Sequence, residues 1–212
     1  MAKIKICGIT REQDIDAVNA VLPDYIGFVF AKSKRQVDEN RAKELKRRLD
    51  PRIKAVGVFV NEEVEKVIKL CTLHVIDLVQ LHGDENDDYI KRLKNNVPNK
   101  IIRAVRVKGR EDIEKAQALL SDYLLFDTYQ EKDYGGTGKT FDWSMIPAMR
   151  KPFFLAGGIN LYNAAHAIKH NPYCIDVSSG VETNGLKDPK KITDIIRLTR
   201  KLTGQPVNTE LG

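Results

Sequence analysis

Eight short apolar runs recur along this chain of 212 residues, and they alternate with amphipathic segments. Most runs are nearly continuous in apolar residues and several are rich in Val and Ile, which is typical of parallel strands covered on both faces. The runs are KIKIC (3–7), YIGFVF (25–30), KAVGVFV (54–60), VIDLVQLH (75–82), IIRAVRV (101–107), YLLFD (123–127), PFFLAG (152–157) and CIDVSSG (174–180).

The segments between these runs show the spacing of amphipathic helices, with apolar residues three and four positions apart. The clearest predicted helices cover residues 38–49, 61–70 and 109–120, and the weakest covers 142–149. Helix starts are predicted at Thr10, at Asn61 and at Asp188, because short polar side chains accept hydrogen bonds from the first turn. A proline follows Asp188 at the first helical position, where it is favoured.

Strict alternation of strands and helices predicts an α/β fold with a parallel sheet. Eight units in this length leave about 26 residues for each, enough for a strand, a helix and two short loops. The simplest arrangement is a closed (β/α)8 barrel, the TIM barrel, in one compact domain over residues 1–204 with a short tail over 205–212. An open doubly wound sheet is the structural alternative. In a barrel, the C-terminal end of every strand faces the active site.

Composition and charge limit the classes of protein to which this chain can belong. No run approaches the roughly 20 apolar residues of a membrane span, and the N-terminus lacks a signal peptide, so a cytoplasmic protein without membrane partners is expected. Three widely separated cysteines argue against a disulfide framework. The net charge of +6 suits a nucleic-acid surface or an anionic substrate. Because the basic residues are scattered over helix faces without interleaved aromatics, the sequence favours a small anionic substrate over nucleic acid.

Two late loops combine glycine and serine at strand ends before predicted helix starts. They are LAGGIN (155–160) and VSSGVE (177–182), after the seventh and eighth predicted strands. Unhindered backbone N–H groups at such positions bind anions, and this is where TIM barrels commonly hold phosphate. The sequence therefore predicts a phosphorylated small-molecule substrate. A third loop, YGGTGKTFDW (134–143), lacks the P-loop spacing and is predicted to be a lid from which Lys139 approaches the anion.

Cys7 and Asp127 end the first and sixth predicted strands, so a barrel places them on one rim. A thiol is an effective base at neutral pH only where a neighbouring cation or helix terminus lowers its pKa. A carboxylate that ends an apolar strand either caps the next loop or, partly desolvated, donates a proton. Together they suggest proton transfers on a sugar phosphate. His166 and His170 lack a third ligand nearby, so no metal is expected. An isomerisation of this kind is expected to need no organic cofactor either.

Several motifs together resemble those of the phosphoribosylanthranilate isomerase family of tryptophan biosynthesis. They are KICGIT, GFVF with the basic loop after it, QLHG (80–83), GGTGKTFDW, LAGGIN, and DVSSGVETNGLKDPKKI (176–192), and they span nearly the whole chain. The resemblance implies an Amadori rearrangement of N-(5-phosphoribosyl)anthranilate to 1-(2-carboxyphenylamino)-1-deoxyribulose 5-phosphate. It further implies that Asp127 is the general acid and Cys7 the general base.

By the same resemblance, Arg35 pairs with the anthranilate carboxylate. The phosphate is held by Gly157, Gly158, Ser178, Ser179 and Gly180. Asp176 either orients the substrate or is a satisfied carboxylate of the barrel interior, and His82 lines the pocket without an assigned role.

Two alternative functions remain open from the sequence. The first is another phosphosugar barrel isomerase or epimerase, although such enzymes usually present paired aspartates or metal-binding histidines. The second is a noncatalytic basic barrel that binds nucleic acid or phosphometabolites. The protein is expected to be a monomer or a homodimer.

Overall fold

A computed structural model describes residues 1–128 and 140–206 of the chain. Eight parallel strands form a closed barrel in which each strand pairs with the next and β8 pairs with β1. The strands are β1 Lys3–Cys7, β2 Tyr25–Val29, β3 Lys54–Phe59, β4 Leu78–Leu81, β5 Lys100–Val107, β6 Tyr123–Thr128, β7 Phe153–Leu155 and β8 Cys174–Val177. The predicted (β/α)8 TIM barrel is confirmed, and the open doubly wound sheet is excluded.

Helices follow most of the strands and cover the outside of the barrel. They are α1 Glu12–Val21, α2 Glu39–Arg48, α3 Val64–Thr72, α4 Asp87–Asn96, α5 Arg110–Ala116, α6 Ala164–Lys169 and α7 Pro189–Thr203. Two short 3-10 turns, Trp143–Met145 and Ser179–Val181, follow β6 and β8. A small antiparallel hairpin, β9 Glu182–Thr183 and β10 Leu186–Lys187, lies between β8 and α7. Among the helices of the described ranges, none is both long and apolar enough to cross a membrane.

Two of the three predicted helix starts are wrong. The first helix begins after Arg11 instead of Thr10, because the Asp14 carboxylate accepts the backbone N–H groups of both residues. The third helix begins after Glu63, two residues beyond the predicted cap at Asn61. The Asp14 side chain thus replaces the cap expected at Thr10. The Asn61 side chain instead accepts from the N–H of Asp84 and caps no helix.

The start at Asp188 is confirmed, since its carboxylate accepts from the N–H groups of Lys190 and Lys191. Two predicted helices are shorter in the structure. The segment 109–120 ends its helix at Ala116, and 142–149 forms only the 3-10 turn. Pro147 explains the second case, because proline disfavours helical backbone at the residue before it, and Ile146 is extended.

Alternation along the strands sorts side chains between the helical layer and the barrel interior. In β1, Ile4 and Ile6 join the large cluster that packs against the helices, whereas Lys5 faces inward. A second, smaller cluster fills the N-terminal end of the interior, and its buried members are Tyr25, Val56, Leu78, Ile102, Ala104, Leu125, Phe154, Ala156 and Cys174. The interior is therefore apolar near the N-terminal ends of the strands and polar toward their C-terminal ends.

The predicted domain boundary near residue 204 coincides with the end of the last helix. Gly204 adopts a left-handed conformation (φ 67°) and ends α7. The Gln205 side chain donates to the carbonyl of Ala2, which ties the start of the predicted tail to the barrel. Residues 207–212 lie outside the described part of the chain. The division into a barrel domain and a tail stays a prediction.

Candidate active site

A cavity of about 460 Å³ opens at the C-terminal ends of the strands. Eight of the nine residues predicted to form the site line it: Cys7, Arg35, Asp127, Gly157, Gly158, Asp176, Ser178 and Ser179. Gly180 lies beside it and packs against the carbonyl of Ile159. Residues 134–139 of the predicted lid, with Lys139 among them, fall outside the described residues, whereas 140–143 are described and lead into the 3-10 turn that begins at Trp143. Both candidate proton-transfer groups thus reach one pocket.

Cys7 ends β1 with its thiol largely covered, since only 9% of the residue is exposed. Gly27 on the neighbouring strand leaves room for the sulfur: a Cβ there would lie 2.6 Å from Sγ. Burial raises the pKa of the thiol above its ordinary value, although the cations Lys5 and Lys187 oppose the shift. Cations that could lower the pKa of the thiol are therefore present, but in the free protein desolvation outweighs their attraction.

Lys5 is a member of the site that sequence reasoning missed. It is fully buried, and its Nζ donates to Asp176 Oδ2 at 2.7 Å and to Gln80 Oε1 at 2.9 Å. Burial opposes its charge, but attraction to Asp176 and Cys7 holds the pKa of Lys5 above its ordinary value. A lysine between two isoleucines of an apolar strand, two residues before the candidate base, is the signal that would have found it.

Asp176 is 92% buried and has one oxygen committed and one uncommitted. Oδ2 accepts from Lys5, whereas Oδ1 has no hydrogen-bond partner within the described part of the chain. Buried polar atoms are nearly always paired, so an uncommitted carboxylate oxygen at a pocket wall is suited to accept from a ligand hydroxyl. The paired oxygen fits a carboxylate of the barrel interior, and the substrate-orienting role of Asp176 stays a prediction.

Asp127 lies near the end of β6, across the cavity from the β1 strand end, and contacts His82. Its Oδ1 accepts from the N–H of Thr128 at 2.8 Å, and its Oδ2 lies 3.4 Å from His82 Nε2. The Gln80 amide nitrogen lies 3.1 Å from His82 Nδ1. Lys5 donates to the oxygen of the Gln80 amide, so the amide nitrogen is the group that faces His82 and donates to Nδ1. Nδ1 is then an acceptor, and the hydrogen of the imidazole is on Nε2, beside Asp127.

Arg35 follows β2 and forms a two-pronged ion pair with Glu182. Nε lies 2.7 Å from Oε1 and Nη2 lies 2.8 Å from Oε2. Gly8, next to Cys7, has a φ of 85°, and a Cβ there would collide with Cδ of Arg35. The glycine after the cysteine is therefore required both by its left-handed backbone and by the packing of this arginine.

The two glycine-serine loops meet beside the ends of β1 and β6. Gly157 and Gly158 have φ values of 80° and 67°, and a Cβ on Gly157 would lie 2.9 Å from Asp127 Oδ1. Ser178 Oγ donates to the carbonyl of Cys7 at 3.1 Å. The candidate anion site is thus built directly onto the backbone that carries the candidate acid and base.

Metal ligation is not supported in the parts of the chain that the structure covers. Residues 1–128 and 140–206 contain no group of three His, Cys, Asp or Glu side chains placed to hold a metal ion. His166 on α6 and His170 just after it face each other outside the cavity, with their Nε2 atoms 3.5 Å apart.

The closed barrel and the chemistry of its rim define the class of (β/α)8 enzymes, whose active sites lie at this face. The sequence model of one family within that class, N-(5'-phosphoribosyl)anthranilate (PRA) isomerase, matches residues 4–197. The chain belongs to this family.

Relatives and solved structures agree with that membership. The N-(5'-phosphoribosyl)anthranilate isomerase of Endomicrobium trichonymphae is 51% identical over 95% of this chain and 100% of its own length. The crystal structure of phosphoribosyl anthranilate isomerase from Thermus thermophilus superimposes with a TM-score of 0.84, with 27% identity over 94% of this chain and 99% of that one. A phosphoribosyl anthranilate isomerase in complex with reduced 1-(o-carboxyphenylamino)-1-deoxyribulose 5-phosphate is 32% identical, with a TM-score of 0.78 over 95% of this chain and 100% of that one.

Proposed function

We propose that this protein catalyses the Amadori rearrangement of N-(5-phosphoribosyl)anthranilate to 1-(2-carboxyphenylamino)-1-deoxyribulose 5-phosphate in tryptophan biosynthesis. The observation that carries the proposal is that Cys7 and Asp127 line one cavity with Arg35 and both glycine-serine loops. Family membership and a relative bound to a reduced form of the product support the same substrate.

The reaction divides into a ring opening and a proton abstraction. Asp127 donates a proton to the furanose ring oxygen, the C1–O bond breaks, and C1 becomes an iminium carbon. Cys7, as thiolate, then removes the proton from C2, and the electron pair forms an enolamine. Tautomerisation of the enolamine gives the ketone. Because the iminium next to C2 takes up the electron pair, a base of modest strength suffices and the substrate's own nitrogen replaces a cofactor.

The remaining groups hold the substrate between them. Gly157, Gly158 and the 178–180 loop bind the phosphate through backbone N–H groups. Arg35 pairs with the ring carboxylate of the anthranilate. The uncommitted Oδ1 of Asp176 accepts from a hydroxyl of the opened sugar chain, and Lys5 stabilises the thiolate form of Cys7.

A fluorescence assay that follows the consumption of freshly made phosphoribosylanthranilate tests the function. We expect turnover by the wild-type protein and none above background in Cys7→Ala protein prepared in the same way. Absence of turnover by folded wild-type protein would contradict the proposal and favour the noncatalytic barrel, which predicts salt-sensitive nucleic-acid binding and indifference to Cys7. A cytoplasmic location and a monomeric or homodimeric state complete the proposal and stay predictions.

A further inference from the structure

The hairpin between β8 and α7 brings one acidic and one basic side chain together. Its sequence is ETNGLK, and Asn184 and Gly185 at the turn have φ values of 52° and 79°. Two consecutive left-handed residues make the tight turn that matches the twist of paired strands, and Asn-Gly is its favoured sequence. The turn sets Glu182 directly opposite Lys187 in the ladder. Their side chains therefore lie on the same face of the ribbon.

This pair is buried and binds to the candidate phosphate loop. The Glu182 side chain is 9% exposed and that of Lys187 is 2% exposed, with Nζ 2.6 Å from Oε1. The Lys187 Nζ also donates to the carbonyl of Ser178 at 3.0 Å. Burial lowers the pKa of Lys187, and Glu182 opposes the shift. A buried ion pair adds little net stability to the fold. The role of this pair is therefore better explained by the side chains that it holds in position.

Glu182 orients the guanidinium of Arg35. The two ion-pair contacts use one edge of the guanidinium, formed by Nε and one Nη2 hydrogen. Of its five N–H groups, three are left, including both on Nη1, which has no hydrogen-bond partner within residues 1–128 and 140–206. Arg35 also lines the cavity. A guanidinium fixed on one edge presents the other to a second carboxylate in a single orientation.

The charges explain the presence of the lysine. Arg35 and Glu182 alone form a neutral pair, which has no net attraction for an anionic ligand. Lys187 adds one positive charge, so the three side chains together carry a charge of +1 when all are ionised. The three side chains together can therefore attract a ligand carboxylate. An Arg35–Glu182 pair without Lys187 would attract and repel that carboxylate about equally.

We propose that Glu182 and Lys187 are positioning residues that make this pocket selective for substrates with an aryl carboxylate. Glu182 fixes the plane of Arg35, and Lys187 restores the positive charge that Glu182 cancels. The inference rests on the proposed function and adds the determinant of its substrate selectivity. The opposite possibility is that Glu182 competes with the substrate carboxylate for Arg35.

Two stable inhibitors separate these possibilities. One is the reduced Amadori product with its ring carboxylate, and the other is the same molecule with a phenyl ring that lacks the carboxylate. Glu182→Gln adds net positive charge but frees the guanidinium of Arg35, and the proposal requires the loss of orientation to dominate. We therefore expect the carboxylated inhibitor to weaken about tenfold, the scale of one charge-assisted contact. The inhibitor without the carboxylate should change less than about twofold. With phosphoribosylanthranilate itself, KM should rise while kcat changes little, because the carboxylate is remote from the proton transfers.

Controls tie the effect to Arg35. Arg35→Ala should bind both inhibitors almost equally, and adding Glu182→Gln to it should cause no further loss, since the glutamate acts through the arginine. Lys187→Met should weaken the carboxylated inhibitor at least as much as Glu182→Gln does. Glu44→Gln, which removes one of the two carboxylates that pair with Arg41 on the protein surface, is the matched control and should change the affinity for neither inhibitor.

Several outcomes would overturn the proposal. Tighter binding of the carboxylated inhibitor by Glu182→Gln would make Glu182 a competitor, and equal weakening of both inhibitors would reduce it to a support of the phosphate loop. If Glu182→Gln fails to fold, Glu182→Asp keeps the charge, and it must show the same selective loss. Failure of the inference leaves wild-type turnover intact, whereas failure of the proposed function abolishes it.

Discussion

To act as the proposed base, Cys7 would have to release a proton in surroundings that oppose its negative charge. Burial raises the pKa of its thiol, while Lys5 and Lys187 act against burial and Asp176 acts with it. Arg35 is a further cation within electrostatic reach of the sulfur. The chain thus surrounds the candidate base with three cations and one anion. The reactivity of this thiol therefore depends on charged side chains from several elements, most of which are distant from Cys7 in the sequence.

The first prediction concerns the pH dependence of catalysis. If the thiolate is the base, kcat/KM rises as pH passes through the pKa of Cys7 in the free protein. Because that pKa is raised, the rise should centre above the ordinary thiol range of about 8.5. Lys5→Met removes an opposing cation, so the pKa should rise further and activity near neutral pH should fall. Measurement of kcat/KM from about pH 6 to pH 10 tests this shift.

Lys3→Met is the matched control for that profile. Lys3 lies on the same strand, but its Nζ sits over the rings of Tyr25 and Tyr173 at the other end of the barrel. Its loss should leave the profile unchanged. An unchanged profile in Lys5→Met would contradict the role of Lys5.

Loss of Lys5 should also destabilise the fold. Because the buried Asp176 carboxylate lacks its partner in Lys5→Met, the free energy of unfolding should fall by about 3–5 kcal/mol, which unfolding in urea would measure.

The second prediction concerns the two proton-transfer groups themselves. Cys7→Ala or Asp127→Asn should each lower kcat by about 10² to 10⁴, the usual contribution of one positioned acid or base. Circular dichroism should show that both variants keep the fold, since neither change enlarges a buried side chain. Turnover like that of the wild type in either variant would remove that residue from the mechanism.

The strands and loops of this fold could be predicted from local sequence, whereas several helix starts and ion pairs could not. The eight strands and the glycine loops were predictable, because continuous apolar runs and Gly-Ser pairs follow from local periodicity and backbone freedom. Helix starts at Thr10 and Asn61 were not predictable, because the Asp14 carboxylate accepts the N–H groups that precede the first helix and the Asn61 side chain accepts from the N–H of Asp84 instead. The ion pair of Arg35 with Glu182 joins residues 147 positions apart, and nothing in either local sequence indicates it. Cys7, Asp127 and the two late loops were identified by residue type and strand position, and Arg35 by the family resemblance. The partners of all these residues depend on the closure of the barrel.

The third prediction concerns the loop after β7 as an element. Gly157 has a positive φ, and a Cβ there would lie 2.8 Å from the Thr128 nitrogen and 2.9 Å from Asp127 Oδ1. Gly157→Ala should therefore displace this loop from the end of β6, raising KM through the phosphate and lowering kcat through Asp127. Steady-state kinetics would separate the two effects. Gly109→Ala, where a Cβ would meet nothing within 4 Å, is the control and should be active. Normal KM and kcat in Gly157→Ala would contradict this coupling.

On the scale of the whole molecule, the candidate site is built by nearly the entire barrel. Strands β1, β2, β3, β4, β6, β7 and β8, or the loops that follow them, all contribute residues to the cavity wall. A ligand that contacts all of these strand ends can bind only to the folded, closed barrel. Binding should therefore stabilise the fold as a unit, since it favours the native state and leaves the unfolded chain unaffected.

The fourth prediction is a ligand-dependent rise in Tm. With the reduced Amadori product free at about one hundred times its Kd, binding should add about 2.7 kcal/mol to the stability. For a chain of this length, 1 kcal/mol shifts Tm by roughly 2–4 °C, so scanning calorimetry should show a rise of roughly 5–11 °C. At the same ligand concentration Arg35→Ala should show a smaller rise, because its Kd is larger. The cavity would not be the binding site if the wild-type Tm stayed constant at concentrations that inhibit turnover.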